Sequence, residues 1–203
     1  MWIVGIFAVI VGILYAFVFD VWTVPSDDPA MLASIAPTLG AGDVVLVSRH
    51  AGATERGFLL RCADPDAPGR FVIAREVALA GENVAIHGDS VSVDRVTQST
   101  TACDTHKFTI ENPATHEPTE LDCYRTDTSG MTHDMLRGSG AAGDDVSVTV
   151  DGGRIYLVSD DIHFHDDSRD YGQIAPGTCQ HLVFRLQGGT GFGDSARRFT
   201  LLW

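Results

Sequence analysis

The sequence predicts a mainly β protein: an N-terminal transmembrane helix, then a coiled core of antiparallel strands carrying an inserted polar cap. Three observations predict it. An uncharged apolar stretch opens the chain; short β-branched runs separated by Gly, Asp and Pro follow; and a Thr-, Asp- and His-rich segment interrupts those runs. Long amphipathic helical periodicity is absent.

The stretch from Trp2 to Phe19, WIVGIFAVIVGILYAFVF, carries no charge. At ~1.5 Å per helical residue it reaches ~27 Å, close to the hydrocarbon thickness of a bilayer. Residues 1–20 are therefore read as a single-pass anchor. A cleaved secretory signal is the rival reading, but no basic region precedes the stretch and no small-x-small site follows it. Neither flank offers Lys or Arg for the positive-inside rule to count. Asp20, Asp27 and Asp28 sit more comfortably outside, which favours a soluble domain on the extracytoplasmic side of the cell (inner, cytoplasmic) membrane.

Core strands are expected in two blocks, residues 21–95 and 143–203. DVVLVSR, GFLLRCA, RFVIAREVAL and NVAIHGDSVSVD lie in the first, and DVSVTVD, RIYLVSD and the closing HLVFRLQGGTGFGDSARRFTLLW in the second. His87-Gly88-Asp89-Ser90 reads as a hairpin turn. Residues 96–142 form the inserted cap. Four cysteines behind an export element fit disulfides in an oxidising compartment; Cys103 with Cys123 is the expected pair, both lying in the polar segment. No two cysteines are spaced as C-x-x-C, which argues against a zinc site.

The 203 residues carry a formal charge of −13, so phosphate repulsion makes nucleic acid and anionic lipid surfaces poor electrostatic partners. Lys107 is the chain's sole lysine.

SIAPTLGAGD, from Ser34 to Asp43, sets a serine ahead of a Pro-fixed turn, a Gly-Asp turn and a strand. It resembles the nucleophile box S-M-x-P-T-L-x-x-G-D of type I signal peptidases, the membrane-anchored serine endopeptidases that cut signal peptides from exported proteins. Ser34, Pro37, Thr38, Leu39, Gly42 and Asp43 match, with Ile35 in place of Met. RGFLLRC resembles the family's R-G-D-I-V-V-F, and VIAREVALAGENV its Y-I-K-R-V-x-G-L-P-G-D-x-V. GGRIYLVSDDIHFHDDSRDYGQI resembles G-x-Y-F-V-M-G-D-N-R-D-N-S-x-D-S-R-x-W-G-x-V, keeping Asp160, Asp167, Ser168, Arg169 and Gly172. The boxes follow in family order behind an anchor.

Several roles follow from the resemblance. Ser34 falls on the nucleophile, Asp167 and Arg169 on the charged pair supporting the site, and Arg75 on the basic residue after the general base. The base is a lysine in the family, and it falls here on Ala74. A serine hydroxyl is a poor nucleophile until a base takes its proton; the serine-lysine variant works because burial lowers the amine's pKa. A methyl group cannot do this, and base assistance is worth ~10²–10⁴-fold.

The oxyanion segment P-S-x-S also departs, because Pro25-Ser26 is separated from Ser34 by DDPAMLA. Ser26 serves as an oxyanion donor only if it loops back. A rival frame aligns PSDDPAM directly and puts Asp28 at the nucleophile, breaking the P-T-L and G-D spacing.

His165 stands where the family has a serine that hydrogen-bonds the lysine. It is therefore a candidate replacement base, with Asp167 or Asp160 orienting it. His163 and His165, two apart on an extended chain, share a face and could reach one ion, but no third ligand is readable; neither metal nor cofactor is expected.

The resemblance implies signal peptides and the lipid bilayer as partners, bound as extended chain along a strand edge. Two functions remain open: a signal peptidase with an altered base, or a catalytically inactive relative that binds signal peptides or partners an active peptidase paralogue.

Overall fold

The computed structural model describes residues 17–138 and 145–202, together with residues 2, 5, 6 and 12. Most of the expected anchor therefore lies outside the described residues, as does the expected end of the cap at residue 142. Among the described residues no helix is long and apolar enough to cross a membrane. Phe19, read from sequence as the end of the anchor, instead opens strand β1 (Phe19–Thr23).

The β-branched runs become the strands of a seven-stranded antiparallel sheet. β1, β2 (Val44–Ala51), β13 (Cys179–Gln187), β3 (Leu59–Ala63), β4 (Phe71–Ala78) and β12 (Tyr156–Val158) lie in that order, and β14 (Thr200–Leu201) pairs with β13. β4 is buried along almost its whole length, the signature of a strand covered on both faces. Its two sides feed different clusters. Ile73 packs with Met31, Ile35, Leu39 and Leu59, whereas Val72 and Ala74 pack with Leu60, Cys62, Leu157 and Cys179. A second sheet, ordered β11 (Val146–Thr149), β5 (Asn83–His87), β6 (Ser90–Val93) and β7 (Val96–Thr97), closes over Val77, Tyr156 and Val158. The His87–Ser90 turn is present, with His87 opposite Ser90.

The polar segment is more ordered than its composition suggests. It is a three-stranded sheet of β8 (Thr100–Glu111), β9 (Pro118–Thr128) and β10 (Met131–Arg137). β9 is buried on both faces, Leu121 and Cys123 on one and Thr126 and Thr128 on the other, while most of β8 faces water. Two disulfides are present. Cys103–Cys123 is the expected one, and Cys62–Cys179 joins directly opposed residues of β3 and β13 across a sequence separation of 117.

Helix α1 (Pro29–Ser34) is a single short element that the sequence patterns leave unassigned. Asp28 caps it by accepting from Met31 N (3.0 Å), and Pro29 stands at its first turn.

Candidate active site

Ser34 is the last residue of α1 and is fully buried. Its hydroxyl donates to Met31 O (2.9 Å), one turn back in its own helix. Its carbonyl accepts from Asp161 N (3.0 Å), which fastens the helix end to the loop after β12. Downstream, the nucleophile box does structural work. Thr38 Oγ1 donates to Asp160 Oδ2. Gly42 adopts φ +78° in the Gly-Asp turn, a conformation that disfavours any side chain. Asp43, buried beyond it, accepts from Gly40 N (3.1 Å), Gly189 N (2.8 Å) and Arg197 Nη2 (2.7 Å).

The charged partners of the site are fully assembled. Arg75, buried on β4, holds Asp160 through two 2.8 Å bonds, Nε to Oδ1 and Nη2 to Oδ2, and donates from Nη1 to Gly57 O (2.6 Å). Burial alone would raise the Asp160 pKa; the Arg75 guanidinium overrides it and holds the carboxyl below its ordinary range. Asp167 forks onto Arg169, with Nε to Oδ1 at 2.9 Å and Nη2 to Oδ2 at 2.7 Å. It also accepts from Ser159 N and caps the short helix α2 (Ser168–Tyr171). Ser168 Oγ accepts from Leu157 N (2.9 Å). Strand β10 docks the cap here: Leu136 N donates to Asp160 O and Ile162 N to Leu136 O.

The reacting groups are another matter. Ala74 is fully buried among apolar side chains and the Cys62–Cys179 bridge, on the face of β4 opposite the one Ile73 presents to Met31 and Ile35. Lys107 lies on β8, exposed and paired with Glu120. His165 Nδ1 bonds Asp170 Oδ2 (2.8 Å), so Asp170, rather than Asp160 or Asp167, orients that ring. Among the described residues no hydrogen bond joins His165 to Ser34. Ser26 is exposed but lines the same cavity as Ala33 and Ala36, beside the helix. Asp28, the nucleophile of the rival frame, instead caps α1 and binds Arg70 Nε (2.8 Å). His165, Asp167 and Asp170 have donor atoms within 4.8 Å of one another. Both Asp167 oxygens and Asp170 Oδ2 are already taken by Arg169, the His165 ring and backbone N–H groups, and His163 is not among them.

Sequence reading missed three residues at this site. Asp161, buried beside Ser34, leaves Oδ2 without a partner, and burial pushes its pKa up to about 7. His133 on β10 sits with Nε2 3.8 Å from Asp160 Oδ1. Burial and the Arg75 charge push its pKa down to about 3, so at neutral pH it is a neutral imidazole rather than an ion-pair partner. Arg70 ties Asp28, Asp64 and Asp166 together, joining the cap of α1 to the loop that carries His165. Thr38 was visible in the P-T-L box, but its Asp160 contact was not. His133 carried no signal, being a lone histidine in a polar segment.

Ser34 at a helix end, two buried arginine-carboxylate pairs on the same antiparallel β frame and an apolar residue at the expected base position are the parts of a serine-nucleophile site without its base. The family described as signal peptidase, peptidase S26, matches residues 1–179. The chain belongs to that family. The match spans all four boxes and ends at Cys179. No curated protein matches the chain.

Proposed function

We propose that this chain binds signal peptides through the family's β frame and cleaves them slowly or not at all, its general base having been lost. Ala74 carries the proposal: the position where the resemblance puts lysine is a methyl group packed in a dry apolar cluster. The Ser34 hydroxyl, donating to Met31 O, supports it further. A hydroxyl so engaged has no acceptor to take its proton in the attack. The apolar stretch Trp2–Phe19 and the two disulfides fit an anchored protein whose folded part faces an oxidising compartment, outside the cytoplasmic membrane. An active peptidase paralogue would be the natural companion of such a binder.

The test pairs two readouts on one signal-peptide substrate: equilibrium binding and single-turnover cleavage, in wild type and Ser34→Ala. Binding by both proteins, with no faster cleavage by wild type, is the expected outcome. Rapid cleavage by wild type, or failure of wild type to bind, contradicts the proposal.

A second reading rests on one observation, the His165–Asp170 bond, which leaves Nε2 of an oriented imidazole free. Under that reading His165 is the substitute base, and His165→Ala abolishes a cleavage activity that wild type possesses.

A further inference from the structure

Two cavities meet beside α1. One, of about 390 Å³, is walled by Ala33 and Ala36, on either side of Ser34, and by Leu32 and Ile110. The other, of about 520 Å³, is lined by Arg125, Arg185, Arg197 and His133. Pro37, Phe108 and Arg197 belong to both, so the apolar trough runs into the arginine-lined one.

The second cavity holds a buried guanidinium with a nitrogen to spare. Arg185 is 8% exposed; its Nη1 bonds Thr38 O (2.7 Å) and Asp43 Oδ2 (3.4 Å), and its Nε has no partner. Arg197 leans on the same Asp43, and Arg125 bonds Asp134 (3.0 Å). Asp43 and Asp134 thus bond all three guanidinium groups, and Arg185 Nε is left over, in a chain whose formal charge is −13. Burial and the charge of Arg197 both weaken the hold of Arg185 on its proton, a cost that a bound anion would relieve. Arg185 and Arg197 both lie beyond the family match, which ends at residue 179.

We propose that this cavity binds the side-chain carboxylate of an aspartate or glutamate in the same extended peptide whose small apolar residues occupy the trough along α1. The inference rests on the peptide-binding reading above and narrows it to peptides with an acidic residue next to the small-residue segment. Guanidinium groups suit this ligand because their fork matches a carboxylate with two parallel bonds.

The probe is a set of fluorescent peptides, acetylated and amidated, with an Ala-X-Ala core and Asp, Asn or Lys scanned through the flanking positions. Binding is read by anisotropy on the full chain. At one flanking position Asp binds at least tenfold tighter than Asn and Lys binds weaker, and the preference shrinks as NaCl rises from 50 to 500 mM. Arg125→Gln, whose side chain is about half exposed, reduces the preference for the Asp peptide over the Asn peptide. The salt series on wild type stands independently should that variant misfold. Equal binding of Asp and Asn peptides at every position overturns this inference while leaving peptide binding intact. A peptide with a free C-terminus and no acidic side chain that binds as tightly as the Asp peptide overturns the side-chain assignment. Failure of every peptide to bind overturns both this inference and the function proposed above.

Discussion

The supporting half of the site and its reacting half differ sharply. Arg75–Asp160 and Arg169–Asp167 are buried, doubly bonded and tied to three separate parts of the chain. A few ångströms of backbone away, Ser34 bonds its own helix and the base position is a methyl group. Supporting pairs hold the fold whatever the site does chemically. A lone hydroxyl or a methyl group contributes little to stability, so changing either leaves the frame standing.

Breaking the supporting half should give the largest effect. Arg75→Met leaves Asp160 buried without its counter-charge and Gly57 O without its donor, and should cost about 3–5 kcal/mol in urea denaturation. Adding Asp160→Asn should recover part of that loss. A cost below about 1 kcal/mol for Arg75→Met would erase the contrast between the halves.

The disulfides come next. Cys62–Cys179 closes a separation of 117 residues and Cys103–Cys123 one of 20. By loop-closure entropy, replacing the first pair with alanine should destabilise by about 1–2 kcal/mol more than replacing the second. Thermal unfolding of the two double variants compares them directly.

Asp161 belongs to the reacting half by position and sharpens the comparison through pH. Its pKa is about 7 in the folded chain against an ordinary 3.8. The folded state therefore binds the extra proton between those values, and the group's contribution, complete below about pH 4, is lost as pH rises through 7. Asp161→Asn, which restores the residue found in the family box, should stabilise by about 1–3 kcal/mol at pH 8 and by little at pH 4. Equal effects at both pH values would mean that the carboxyl is not held protonated.

The β core was legible because its strands alternate or run apolar between Gly and Pro turns, and the site's frame was legible because four boxes keep their spacing. The cap's order was not. β8 faces water along most of its length, so the apolar alternation that betrays a strand is missing. Cys62–Cys179 depends on the register of β3 against β13, which no local pattern sets. α1 is too short for helical periodicity to show, although Asp28-Pro29 carries its start signal. His133 and Asp161 acquire meaning only when β10 and the loop after β12 fold onto Asp160 and Ser34.

Ser34→Ala is expected to change stability least, by about 1 kcal/mol or less, because a single hydroxyl bond to Met31 O is lost. The same variant gives the most direct test of the missing base. Single-turnover cleavage of a signal-peptide substrate, at saturating protein, should proceed at the same rate in wild type and in Ser34→Ala. A wild-type rate tenfold or more above that of Ser34→Ala would show that the hydroxyl is still activated and would contradict the account.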